Sequence, residues 1–283
     1  MKTIAGTTAI IAALVIVPPL YGATTASFDG GADTPSTLQA FGFPAIAPSY
    51  QAAGGNPGGY LQLTGAINGL HNWATFDRSD AGSYPLSTFS FDFRINQSFG
   101  SSADGFSFSY APTSVYGTAG GIGAAPFQAE DPAAVGVLGF GFDTWNNFGE
   151  FPEGQFDNPD VPFGSDYQEI SVFYNTILVK RINDTRLLPS PFTLDDGVWH
   201  SVTGSVDFAA GRVSLRVDGQ NIWNQLVVPG LSPFESRIML AARTGGENEI
   251  AGIDNINVQF PEPAGCVLTL TAFGILGLLR RRR

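Results

Sequence analysis

Among its 283 residues the chain has one cysteine, two histidines and few charges. A lone Cys266 leaves no internal disulfide framework and no multi-cysteine zinc site. His71 and His200 are too few for a histidine-rich metal centre. Their settings, His71-Asn72-Trp73 and Trp199-His200-Ser201, read as structural. Charged residues are 14% of the chain, against roughly a quarter in most soluble domains. With 14 basic and 25 acidic residues the net charge is −11. Nucleic acid is therefore excluded as a partner, because phosphate binding needs clustered cations. No Gly-x-Ser-x-Gly elbow, HExxH helix or P-loop occurs. No stretch of residues 27–260 keeps a helical period, and no linker-like shift in composition divides it.

What is present is a supply of core residues, 43% of the chain, together with 35 Gly and 19 Pro to turn it. Short alternating runs recur: Tyr60 to Thr64, Thr88 to Ile95, Gly105 to Tyr110, Val135 to Asp143, Glu169 to Tyr174, Trp199 to Phe208, Arg212 to Asp218, Ile238 to Ala242 and Ile253 to Phe260. A period of two lets each strand bury one face and wet the other. Gly, Pro, Asn and Asp clusters separate the runs. Phe208-Ala209-Ala210-Gly211 joins two of them as a hairpin. The expectation is one all-β domain over residues 27–260, an antiparallel two-sheet β-sandwich.

The two ends read differently. Residues 1–26 have the layout of a secretory signal: Lys2, an apolar run from Ile10 to Val17, then small residues Ala23 and Ala26 as cleavage candidates. The alternative is a buried N-terminal strand. At the other end, Pro261-Glu262-Pro263 halts the preceding strand. An uncharged stretch from Ala264 to Leu279 follows, and Arg280, Arg281, Arg282 and Arg283 close the sequence. That stretch is short for a span of about 20 residues, and is expected to form an apolar helix outside the fold, inserting transiently with its arginines on the cytoplasmic side. Residues 261–283 resemble the PEP-CTERM sorting signal of Gram-negative bacteria. The resemblance implies processing by an exosortase, a membrane-bound stage, and delivery to the outer surface or extracellular matrix. Without Lys2, the four terminal arginines and Glu262 the net charge becomes −15, which suits cations and neutral polymers.

Five segments carry a second resemblance. Asp196-Gly197-Val198-Trp199-His200 through Asp218-Gly219 is similar to a pattern of concanavalin A-like sandwiches. Ser102-Ala103-Asp104-Gly105, the glycine loop Ala119-Gly120-Gly121-Ile122-Gly123, Gly141-Phe142-Asp143-Thr144-Trp145-Asn146-Asn147 and Ala242-Arg243-Thr244-Gly245-Gly246-Glu247-Asn248 narrow it to the L-type (legume-like) lectins. The resemblance implies a concanavalin A-like jelly roll that binds carbohydrate. Asp104 would accept from sugar hydroxyls. Backbone N–H groups of Gly120, Gly121, Thr244, Gly245 and Gly246 would donate to them, and Asn147 would stand beside the ligand. Calcium, which takes six to eight oxygens, would be held by Asp143, the Trp145 carbonyl, Asn147 and one later acid, Asp157 or Asp160.

Two departures bear on metals. The family's Glu before Phe-Asp is Gly141 here, and its His on the next strand falls near Glu169. A second, transition-metal site is therefore doubtful. Catalysis is not expected: the paired carboxylates of glycosidases on this sandwich are missing, and Glu150 and Glu153 lie in a loop-like stretch. Trp73, Trp145 and Trp223 are candidates for sugar stacking. The reading is an exported lectin-like protein for polysaccharide or glycoconjugate. The rivals are a structural surface or biofilm matrix protein that does not bind sugar and, behind it, a glycoside hydrolase.

Overall fold

The computed structural model describes residues 20–30, 36–97, 101–126, 128–149, 156–162 and 164–261. Among the described residues fifteen strands carry the fold. The first seven are β1 (Leu20–Ala26), β2 (Ser36–Ala40), β3 (Ser49–Gln51), β4 (Tyr60–Gln62), β5 (His71–Phe76), β6 (Leu86–Gln97) and β7 (Gly105–Pro112). After a helical turn at Thr113–Tyr116 come β8 (Leu138–Trp145), β9 (Asp166–Tyr174), β10 (Ile177–Ile182), β11 (His200–Asp207), β12 (Arg212–Val217), β13 (Gln220–Val227), β14 (Ser236–Arg243) and β15 (Glu249–Pro261). The back sheet runs β13-β12-β11-β6-β15-β4-β3, with β1 also paired to β15, and the front sheet runs β10-β9-β8-β7-β14-β5-β2. Every ladder is antiparallel. The expected two-sheet sandwich is the fold observed.

Phenylalanine fills the space between the sheets. Phe89, Phe91 and Phe93 project inward from β6 and meet Phe106, Phe108, Phe140 and Phe142 from β7 and β8. Phe106 and Phe142, a cross-strand pair, stack at 4.6 Å, and Phe91 lies 5.0 Å from Phe108. Such pairs contribute about 0.5–1.5 kcal/mol each beyond the area they bury.

Residues 20–26, which the sequence reading places in the leader, form a strand along residues 256–261 of β15, and Ala26 is buried in the core. Their composition suits a small-residue cleavage site and a covered strand equally. The chain before Leu20 lies outside the described residues, as do Glu262, Pro263 and Arg280 to Arg283 of the sorting motif. Pro261 ends β15, where a missing N–H donor costs little. Among the described residues no helix is long and apolar enough to cross a membrane.

One expectation needs correction, that of a wet face on the front sheet. All eight residues of β7 are buried, Ser107 and Ser109 included. The connection from β7 to β8, residues 117–137, folds back across that face. It forms a second apolar cluster of Ile122, Ala129, Ala134 and Val137 on Trp73, Ala111, Met239 and Ala241. Close approach requires small residues beneath it. A Cβ on Gly139 would stand 2.4 Å from Pro132, and one on Gly141 would stand 2.2 Å from the Glu130 carbonyl oxygen.

Candidate functional site

Strand register assembles the site. Gly105 of β7 faces Asp143 of β8 on one side and Arg243 of β14 on the other, and Arg243 in turn faces His71 of β5. Asp104, Thr144 and Thr244 therefore leave the front sheet at the same end. The Asp104 N–H donates to the Arg243 carbonyl at 3.0 Å, and the Thr144 N–H donates to the Asp104 carbonyl at 3.0 Å. The Ala103–Asp104 peptide is cis.

The Asp104 carboxylate is the hub. Its Oδ1 accepts from Nδ2 of Asn147 at 3.0 Å and lies 3.4 Å from the Arg243 guanidinium. Arg243 also clamps Glu130 with two nitrogens, Nε donating to Oε2 at 3.1 Å and an Nη donating to Oε1. A Cβ on Gly245 would come within 3.0 Å of Asp104 Oδ2, so the backbone there passes close over the carboxylate. Asp104 is only 1% exposed. It forms the floor beneath a rim made by Gly245, Gly246 and Asn68, whose amide donates to the Gly246 carbonyl.

Behind this hub lies a buried acidic cluster. Asp131, Asp143, Asp157 and Glu169 join Glu130 in an interior where, among the described residues, only Arg243 and the partly exposed Arg181 supply counter-charge. Burial, followed by repulsion from Asp157, holds both Asp131 and Asp143 well above the usual carboxylate range. Asp157 is pushed up to about 7 by burial and by Glu130, against the opposing hydrogen bond from the Asn147 N–H. Glu169 is also raised to about 7 by burial, against the Tyr167 hydroxyl and Arg181. Burial works against the Arg243 charge, but Glu130, Asp104 and Asp143 more than offset it and hold its pKa above the ordinary value. Glu249 sits deeper still, with burial raising its pKa well above normal while Thr144 donates to it at 2.7 Å.

This donor set matches a hard cation in kind. Asp143 and Asp157 offer carboxylates, Asn147 an amide and Trp145 a carbonyl, and oxygen ligands of these types are what calcium takes. Burial of several carboxylates with so little counter-charge is costly unless protons or a cation neutralise them. Asp131 Oδ2 is buried with no hydrogen-bond partner among the described residues. Among the described residues no three Asp, Glu, His or Cys side chains form a ready-made cage. Two carboxylates joined by an amide and a carbonyl make a different set. As for the departure at Gly141, the Glu130 carbonyl fills the space a glutamate side chain would need to leave from.

The structure separates the sequence-derived candidates. Asp104, Asp143, Trp145, Asn147, Asp157 and Gly245 come together. Asp157 is the buried member of the Asp157/Asp160 pair; Asp160 is exposed, and its N–H donates to the Asn158 side chain. Gly120 and Gly121 do not reach the site. The Gly120 carbonyl accepts from Arg237 and Thr75, its N–H donates to Asp77, and Gly121 packs on Gln39. Arg237 is six residues from Arg243 along β14, which puts this loop about 20 Å from Asp104. A glycine-rich string signals a turn but not which end of a strand it caps. Thr244 is a strut, its hydroxyl donating to the Ile67 carbonyl at 2.7 Å and accepting from the Leu70 N–H at 3.0 Å. Trp73 and Trp223 are core residues, and Trp145 is half-buried. Glu150 and Glu153 lie outside the described residues.

Glu130, Asp131, Glu249 and Asn68 escaped the reading of the sequence. A signal existed for the first two: an acid pair set among Ala129, Pro132, Ala133 and Ala134 is unusual for an exposed loop.

No family model and no curated protein matches the sequence. Solved structures do match the fold. The lectin from Bauhinia forficata in complex with GalNAc is 18% identical, with a TM-score of 0.52 over 84% of this chain and 96% of that one. The metal-free form of lectin I-B4 from Griffonia simplicifolia is 17% identical, with a TM-score of 0.52 over 83% and 98%. Arcelin-5, a lectin-like defense protein from Phaseolus vulgaris, is 12% identical, again at 0.52, over 84% and 96%. From the sheet order, the strand register and these likenesses together, the architecture is that of the legume lectins.

Proposed function

We propose that this chain is an exported carbohydrate-binding protein whose site is organised by calcium. The observation that carries the reading is the Asn147–Asp104 hydrogen bond. It joins residues 43 apart in sequence, at the one end of the front sheet where the buried acids gather. Asp143, Asp157, Asn147 and the Trp145 carbonyl would hold the ion, whose contribution is to neutralise their charge and fix the loop. Asn147 then aligns Asp104, an ionised acceptor suited to sugar hydroxyls. Gly245 leaves room for a ring beside it, and Arg243 balances the charge of Asp104 and Glu130. Affinity for one monosaccharide is expected to be low, because sugar hydrogen bonds replace those of water. A polymer compensates by presenting many copies. Export and processing through residues 261–283 belong to the same reading and rest on the sequence.

A second reading, a lectin fold that no longer binds sugar, is favoured by one observation: Asp104 is buried and already engaged by Asn147 and Arg243. Retention on immobilised polysaccharide, with and without chelator, and thermal melting in calcium separate the two. Asp143→Ala is expected to abolish both the calcium shift and retention. Asp104→Ala should abolish retention while leaving the calcium shift in place. Full retention by both variants would refute carbohydrate binding at this site.

A further inference from the structure

Beyond Asp104 the same end of the front sheet continues as a row of loops. From Gly105 on β7 the register passes through Arg243 on β14 to His71 on β5, whose carbonyl accepts from the Phe41 N–H at 2.7 Å just past the end of β2. Three strand spacings amount to roughly 14 Å. Hydrogen bonds tie the row together: the Gly69 N–H donates to the Gly245 carbonyl at 3.1 Å, and the Phe43 N–H donates to the Gly69 carbonyl at 2.9 Å. Two glycines make that contact possible. A Cβ on Gly42 would stand 2.2 Å from the Gly69 oxygen, and Gly69 itself has φ +77° with the Phe43 oxygen 2.4 Å from its Cβ position. Phe41 anchors the loop from inside, edge-on to Trp73 at 5.3 Å.

The segment thus fastened presents Phe43 at 92% exposure, with Ile46 at 45% and Ile67 at 38%. A phenylalanine so far into water, on backbone pinned from both sides, is held out rather than loosely placed. In the same row the Asn248 amide donates to Asn68, whose own amide donates to the Gly246 carbonyl. Carbohydrate has the same alternation, with C–H faces that stack on aromatic rings and hydroxyl edges that meet amides. By strand spacing the β2 end of the row, which Phe43 follows, lies roughly 14 Å from Gly105, more than a single pyranose ring extends.

We infer that Phe43 is a stacking platform for a further ring of a saccharide chain whose first ring lies at Asp104, so that the site takes oligo- or polysaccharide in preference to a single sugar. This rests on the carbohydrate-binding reading. The full chain in calcium would be run by affinity electrophoresis through gels containing galactan or mannan. Galactose and mannose affinities would be measured separately by titration. Phe43→Ala is expected to weaken polysaccharide affinity about tenfold and to leave monosaccharide affinity unchanged, with Phe43→Trp retaining the wild-type behaviour. Asp104→Ala should lose both. If Asp104→Ala loses binding while Phe43→Ala matches wild type on polysaccharide, the platform is wrong and the sugar site stands. If the wild type is retarded by neither polymer and binds neither sugar, both readings fall. Phe43-dependent sedimentation with phosphatidylglycerol vesicles, without polysaccharide retardation, would assign the loop to a lipid surface and overturn the inference.

Discussion

The two faces of the front sheet are both buried, yet they are built on opposite terms. Toward the back sheet, Phe106, Phe108, Phe140 and Phe142 fill space with large rings that need no hydrogen bonds. On the reverse of the same strands and of β9, Ser107, Ser109, Gly139, Gly141 and Ser171 leave space, and the connection from β7 to β8 occupies it with backbone, alanines and two acids. The hydroxyl oxygens of Ser107, Ser109 and Ser171 are buried there without hydrogen-bond partners among the described residues. One face is optimised for packing. The other is covered by the connection that carries Glu130 and Asp131 to the site. The lesson is that alternation in a strand marks two environments without stating that either is wet.

Mutations can break that contrast. The largest expected effect is on the inner face: Phe142→Ala should cost roughly 3–5 kcal/mol in a urea unfolding curve, with the calcium response of the surviving folded fraction unchanged. On the outer face Gly141→Ala should cost less, roughly 1–3 kcal/mol, but should weaken calcium binding, because Glu130 must move from its place by the site. Equal calcium responses in both variants would show that the outer face is mere packing.

The smallest effect is in pH. Asp157 and Glu169 have folded pKa values raised to about 7 from ordinary values of 3.8 and 4.5. Between those limits the native state holds more protons than the unfolded chain, so stability falls as pH rises through that window and levels off above it. In chelator the melting temperature should be lower at pH 8 than at pH 5, by about 2–4 °C for each kcal/mol at this chain size. Calcium should flatten the profile, and so should Asp157→Asn. A chelated protein that grows more stable toward pH 8 would mean that these acids are not burdened by their burial.

Much of this was legible in the sequence. The Phe-Ser-Phe run at residues 89–91 and the Phe-Ser-Phe-Ser run at residues 106–109 predict β6 and β7, and the hairpin from Ser201 to Asp218 is found as β11 and β12, with Asp207 facing Arg212. Strands β2, β3, β5, β10 and β13 were missed, because Ser36–Ala40, Ser49–Gln51, His71–Phe76, Ile177–Ile182 and Gln220–Val227 lack a clean apolar alternation. In the site, Asp104, Asp143 and Asn147 could be named from local strings, since one short turn brings the last two together. Gly120 was misplaced, and Glu130 was overlooked, for one shared reason. Both lie in a 21-residue excursion, residues 117–137, whose path over the sheet depends on what lies beneath it.

Local chemistry along the chain was enough to settle the sandwich, because backbone periodicity and turn residues act over a few neighbours and repeat strand after strand. Which acids share a buried pocket, and which aromatic stands in water beside it, depended on register between strands distant in sequence. Asp157 is separated from Asp160, and Glu130 is joined to Arg243, by contacts that do not exist until the sheets have closed.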